Sequence, residues 1–437
     1  MKIFSKAALT AGLAGLLGLG MAVSGTVVAH ASSPTIIAEA GSDTTWFAIA
    51  GGGFNGNPHH NGLADLYNAS QSAIHVTEIP PTNNASLGFP SSVTTPAQAG
   101  CPTSSPWNGD GSRTWDSSDA GHTPPNGSSA GITALQNDDV SANPGCAVTF
   151  ARSSRGLGNP SDTPDLESYA YALDALDWAV RNGGSADAFR NLAAPANLSI
   201  GQLTKIYTCH TTGPKTGQPF YSNWAQVGGK NSAIIKYAPQ SGSGTASFFQ
   251  TKLLNGAAID AGCDASHLSQ RAEENQALTR CVNNDLTCSQ GFEPIPTSDL
   301  PHMIIPLGYA QWTAQKNHTA TGLVDARNSF IFKALENVKP TAKTINEGLD
   351  PTIAQFNGTR YVYNILTQNE PNYAATAAFA GINQLTLTNG YICQDTNTTA
   401  ANKVKAAITL FGEIPLVDAV EGAGQPTGHC RFDATPL

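Results

Sequence analysis

Apolar runs and small polar clusters alternate along most of this chain, and the spacing inside each run indicates its element. Residues 35–40 (TIIAEA) read as a short strand, 41–45 (GSDTT) as a small polar turn, and 46–50 (WFAIA) as a helix that the Gly-rich run 51–56 interrupts. Residues 75–79 form a second strand. Residues 80–126, dominated by Pro, Ser, Thr, Gly and Asn, have no such period and read as a long surface insertion without a core of its own. Residues 127–131 make a turn into a short helix over 132–136, 146–150 a strand, and 151–155 the loop at its C-terminal end. Residues 169–180 are apolar throughout and fit either a strand or a helix. Residues 198–207 have helical apolar spacing with Ser199 as N-cap. A strand over 233–237, a Gly/Ser loop over 239–245 and a helix over 246–254 follow. Strands alternating with helices predict an α/β fold, and no solenoid-type repeat occurs.

Composition bounds this picture. The 437 residues are enough for two or three domains. They are 40% hydrophobic, which supports real cores, and only 13% charged, about half the usual share of ~25%. A net charge of −9 argues against general nucleic-acid binding, which needs a basic face, but not against a small anion site built from backbone amides. Residues 1–31 read as a secretory leader: Lys2 and Lys6, an apolar stretch, then Ala29-His30-Ala31 as the cleavage signal. Removing them takes the charge from −9 to −11. No Cys lies near the cleavage site to carry a lipid, and no other stretch has the ~20 apolar residues of a membrane span. An exported chain makes the eight cysteines candidates for four disulfides, with Cys281–Cys288 and Cys393–Cys430 as guesses at pairing. No C-x-x-C and no spaced His pair points to a metal, and no cofactor is implied.

The chemistry gathers in four loops. Three Gly/Ser/Thr loops at 41–45, 127–131 and 241–245 each lead into a helix, and the loop at 151–155 sets two arginines beside two serines. Such loops present amides and hydroxyls where the helix dipole favours an anion. One is ordinary turn chemistry; four suggest convergence on a single oxyanion.

At these loops the chain resembles the phosphate-binding proteins of bacterial ABC importers, especially their actinobacterial-type branch. In order, Ala40-Gly-Ser-Asp-Thr-Thr45, Asn126-Gly-Ser-Ser-Ala-Gly131, Phe150-Ala-Arg-Ser-Ser-Arg155, Asn223-Trp-Ala-Gln-Val-Gly-Gly229, Gln240-Ser-Gly-Ser-Gly-Thr245 and Ile305-Pro-Leu-Gly-Tyr-Ala310 match the family's segments. The resemblance implies an α/β, two-lobed periplasmic-binding-protein-like fold of type II, with two crossing strands near 168–180 and 360–366 and a ligand cleft between the lobes. Lobe one would be 32–170 with 367–437, and lobe two 171–366. It also implies a secreted, monomeric, non-enzymatic protein that captures inorganic phosphate or a similar oxyanion in the periplasm or outside the cell, with a membrane ABC permease as partner. Its site residues would be Asp43, Thr44, Thr45, Ser128, Ser129, Arg152, Ser153, Ser154, Arg155, Ser243, Gly244 and Thr245.

Two family features are missing from their usual places. The third loop usually carries an Asp that accepts the phosphate proton, and here has Ser153 and Ser154; the fourth usually begins with an Arg, and here has Pro239. The expectation is therefore a cation from Arg152 or Arg155 and an acceptor from Asp43, whose other reading is a helix N-cap. Two further classes compete. Gly127-Ser-Ser129-Ala-Gly131 fits the G-x-S-x-G nucleophile elbow of a serine hydrolase, with His302 or His429 as base, although Thr123-Pro-Pro-Asn126 before it is poor strand sequence. A non-transport surface protein on the same fold is the third. Seven N-x-S/T sequons, one at Asn126 inside the site, favour a host that does not glycosylate them.

Overall fold

The computed structural model describes residues 34–52, 61–79, 93–95, 113–115, 125–140, 148–208, 220–239, 243–259, 296–323, 325, 327, 329–394, 398–416, 419–420, 427–428 and 430–433. The expected leader, most of the 80–126 insertion and six of the eight cysteines lie outside the described residues. Among the described residues no helix is long and apolar enough to cross a membrane.

Twelve strands matter for the site: β1 (Thr35–Gly41), β2 (Ile74–Glu78), β3 (Val93–Thr95), β4 (Arg113–Trp115), β5 (Phe150–Ser153), β6 (Leu166–Arg181), β7 (Asn197–Leu198), β8 (Ile235–Lys236), β9 (Met303–Gly308), β10 (Phe330–Phe332), β11 (Ala334–Leu335) and β12 (Thr359–Thr367). The large sheet is mixed and runs β2-β1-β5-β12-β6-β9-β8. The β1–β2, β1–β5 and β8–β9 pairs are parallel, and β12 and β9 run antiparallel to β6. β3 and β4 pair antiparallel on their own inside the insertion.

β6 organises the molecule. Its 16 residues are buried except at the last position. A strand covered on both faces has no polar alternation, which is why its sequence fits a helix as well. Residues Leu166 to Ala175 pair with β12, whereas Leu176 to Ala179 pair with β9 and Ala179 to Arg181 with β10. One strand thus serves both halves of a two-lobed α/β fold, and the changeover falls at Ala175–Leu176. Helices Leu63–Ser70, Tyr373–Ala380 and Thr399–Leu410 pack with Ile37, Val76 and Tyr171 into one core. Ile132, Trp178, Ile206, Trp224 and Phe249 belong to another.

Element boundaries shift from expectation for local reasons. The helix read over 132–136 begins earlier, spanning Ser128–Asp139, because Gly127 turns the chain at φ 94° and lets the Ser-Ser-Ala-Gly segment supply its first turn. Of the strand read over 146–150, residues 146 and 147 lie outside the described residues, and among 148–150 only Phe150 is in a strand, which runs Phe150–Ser153: Ala151 and Arg152 pair with both β1 and β12, which draws the expected loop into the sheet. Ser199 caps Ile200–Tyr207 as expected, in a capping box with Gln202. The helix read over 246–254 starts at Gly244, and after Phe248 it widens into a π-helical turn, Phe249–Leu253.

Candidate anion-binding site

Three loops meet at Ser154. Its Oγ accepts from Ser42 Oγ at 3.3 Å and lies 3.2 Å from Ser128 Oγ, while its amide donates to Ser128 Oγ at 2.9 Å. All three serines are buried. The fourth loop closes on them: a Cβ at Gly244 would collide with the hydroxyls of Ser128 and Ser154. Gly131 allows a similar approach deeper in the fold. Its missing side chain lets the first turn of Ser128–Asp139 sit directly on Ala40 and Gly41 at the end of β1. Glycine is used here for close approach of backbones.

A buried cation stands beside this cluster. Arg360 on β12 is directly opposite Asp174 on β6 in the antiparallel register. Its Nε and Nη2 donate to Asp174 Oδ2 at 3.1 and 2.8 Å. Nη1 donates to Thr245 Oγ1 at 2.8 Å and Nη2 to Thr44 Oγ1 at 3.5 Å. One guanidinium therefore links the first and fourth loops, 2% exposed, with the ring of Phe248 at 5.6 Å. Asp174 is held in turn by the Ala310 amide at 2.8 Å, in the first turn of helix Tyr309–Lys316. The pair sits one residue from the β6 changeover. Behind it, burial and then the Asp174 charge hold the Glu413 carboxyl well above the usual carboxylate range, and the Tyr171 hydroxyl donates to it at 3.4 Å. Both causes favour the neutral form of Glu413 beside the Asp174 charge.

The remaining expected residues are placed as follows. Arg152 is fully buried, but its guanidinium is engaged by Glu39, by the carbonyls of Ser42 and Ile79, and by the Trp46 ring at 5.0 Å. Arg155 makes a bidentate pair with Asp162, both bonds 2.9 Å, and its Nε donates to Ser129 Oγ at 3.1 Å. Ser153 closes a local turn, its Oγ donating to Arg155 O and accepting the Arg155 amide. Asp43 is buried, with its carbonyl and carboxylate near the Gln311 amide. It is not the helix N-cap: Thr45 holds that position and makes no side-chain cap bond there. Ser243 caps helix Gly244–Phe248, accepting from the Thr245 and Ala246 amides. The hydrolase reading finds no support at Ser129, because a guanidinium cannot take a proton. His302 is instead bonded to Ser232, its Nδ1 lying 2.7 Å from that hydroxyl, and His429 lies outside the described residues.

Sequence reasoning missed Ser42, Arg360, Asp174 and Glu413. A usable signal was present: charged residues inside otherwise apolar strand sequences, ALDALDWAV and RYVYNIL, must be paired when buried.

A cleft of about 370 Å³ is lined by residues that include Ser129, Ser243, Ala246, Ser247, Gln250 and Thr251. Among the described residues no group of His, Cys, Asp and Glu could hold a metal ion.

A family model described as "PBP superfamily domain" matches residues 119–385, which include the second, third and fourth loops and Arg360. Among solved structures, an ABC-type phosphate transport receptor from Vibrio cholerae is similar at 15% identity and a TM-score of 0.42, over 86% of this chain and 99% of that one. PstS from Borrelia burgdorferi is similar at 16% identity and a TM-score of 0.39, over 87% and 98%. No curated protein matches the sequence.

Proposed function

The chain belongs to the PBP superfamily, and from that premise we propose that it is a solute-binding protein that captures inorganic phosphate, or an oxyanion of the same shape, for uptake through an ABC permease. The observation that carries this is the convergence of all four loops on one buried arginine and three serine hydroxyls. A tetrahedral dianion needs many donors and a fixed cation. Arg360 is that cation in this reading, with Ser42, Thr44, Ser128, Ser154, Thr245 and the Gly244 amide as donors. Arg360 can bind two oxygens side by side, which a Lys cannot, and Asp174 fixes its plane. We assign acceptance of the proton of hydrogen phosphate to Asp43, which sits beside Thr44.

The same reading makes the protein a binder rather than an enzyme, exported by its leader and working as a monomer in the periplasm or outside the cell. Lobe one takes 32–170 and 367–437 and lobe two takes 171–366, a division supported by β6 pairing with different partners along its two halves. Calorimetric titration of phosphate-stripped protein with phosphate and with sulfate tests the function. Saturable heat with phosphate at one site per chain is expected; no heat or melting shift at millimolar phosphate would refute it.

A further inference from the structure

We propose that a pocket on the face of β6 turned away from Arg360 binds a small organic cation, its apolar body among Leu173, Ile345, Ile353 and Ile414 and its positive end at Asp350. The proposal goes beyond the phosphate reading and does not rest on it.

Strand register places the pocket. Leu173 on β6 lies between Tyr361 on β12 and Ile414 on the short strand Ile414–Pro415, and pairs with both. Paired residues point to one face of a sheet, and the next residues along each strand point to the other. Leu173 and Ile414 therefore face away from their neighbours Asp174 and Glu413, which lie with Arg360. The row of strands that carries buried charges on one side carries aliphatic side chains on the other. The pocket on that side has a volume of about 230 Å³, room for about eight water-sized groups at ~30 Å³ each. Leu173, Ile345, Ile353, Ile414 and Pro415 line it, and so does Leu349, which is 71% exposed and carries the apolar surface out to solvent.

The polar lining sets the charge of the ligand. Glu347 is matched: Arg431 Nε and Nη2 donate to it at 3.0 and 2.8 Å, and the Tyr361 hydroxyl at 2.9 Å. Asn346 uses its amide on the neighbouring backbone, donating to the carbonyls of Lys343 and Thr344 and accepting from the Gly348 amide. Asp350 differs. Its Oδ1 accepts from the Thr352 amide and hydroxyl at 2.9 and 2.7 Å, bonds that hold its carboxyl below the usual range. No ion pair among the described residues includes it. The pocket thus presents one unmatched negative charge beside an aliphatic wall. The net charge of −9 on the whole chain adds long-range attraction for cations. An ammonium on a compact apolar body satisfies both features, whereas a carboxylate of the same shape meets repulsion.

The test titrates the mature protein with phenethylamine, 2-phenylethanol and phenylacetate, a cation, a neutral molecule and an anion of nearly one shape. It is repeated on Asp350→Asn and on Ala342→Trp, an exposed position in the lining where an indole fills the pocket without disturbing the core. The amine should bind with a Kd of about 1 mM or below, about tenfold or more tighter than phenylacetate. It should exceed the alcohol by several-fold, the range of a solvent-exposed charge pair. Asp350→Asn should bring the amine down to the alcohol and leave the alcohol within about twofold, and Ala342→Trp should weaken both by about tenfold. No amine binding at about 10 mM, equal binding of the three probes, or amine binding unchanged in either variant overturns the proposal. Self-association lost in Ala342→Trp, with no amine binding, also overturns it, because a second copy of the chain is then the occupant.

Discussion

Arg360 holds two loops and one carboxylate at once, so its removal has two separable effects. Arg360→Ala leaves Asp174 charged and buried, which costs about 3–5 kcal/mol of stability when one partner of a buried pair is lost. It also removes the charge-assisted bonds to the anion, and phosphate affinity should fall by about 2–4 kcal/mol. The neutral pair Arg360→Gln with Asp174→Asn should recover most of the melting temperature and none of the affinity, which separates positioning from folding. Arg155→Ala should cost less than about 1 kcal/mol of phosphate affinity, because its charge is matched by Asp162 and its contact is a hydroxyl at the cleft. Calorimetry on these variants checks both statements. Titration of buried carboxyls gives a further expectation. Burial lifts Glu39 from 4.5 to about 8 despite Arg152 beside it, and lifts Glu413 and Asp177 well above their usual range. A carboxyl with a raised folded-state pKa binds its proton more tightly in the native state. Its stabilisation is complete below about pH 4.5 and is lost as pH rises through the folded value. The melting temperature should therefore fall between pH 5 and pH 9, and Glu39→Gln should flatten that slope; a flat or rising native profile would contradict it. At this scale the hydroxyl loops were legible because Gly, Ser and Thr cluster locally. Arg360 and Asp174 were not, because they are 186 residues apart and only strand register makes them neighbours.

Among the elements, β1 with its turn and short helix, β2 and the Ser199 cap were readable from spacing alone, the cap because it rests on contacts within a few residues. The reading failed where tertiary pairing decides. β5 lies further along the chain than its sequence suggests because β1 and β12 recruit Ala151 and Arg152. The side chain of Arg152 lies against Glu39 and Trp46, contacts that its sequence neighbourhood did not indicate. The C-terminal segment depends on a covalent tie. Cys393 and Cys430, 37 residues apart, form a disulfide inside the core that includes Tyr67 and Phe379. Cys393→Ser should lower stability by about 2–5 kcal/mol, the usual loss for a native bridge in an exported domain, and a thermal melt measures it. An unchanged melting temperature would mean that the helices around it hold the segment unaided.

For the whole molecule, fold class followed from the alternation of strands and helices, and the four-loop order carried the family resemblance. What sequence could not supply was the convergence itself. Ser42, Ser128, Ser154 and Gly244 come from four separate segments, and only the mixed sheet brings their ends together. The central claim is that one anion sits in that convergence, against Arg360. Diffraction from crystals soaked in arsenate tests it most directly, because arsenic has an anomalous signal and the ion has phosphate's shape. The account predicts a single arsenic peak per chain in contact with the Arg360 guanidinium and the hydroxyls of Thr44, Thr245 and Ser154. A peak at Arg155 with none at Arg360, or no ordered arsenate at all, would contradict it.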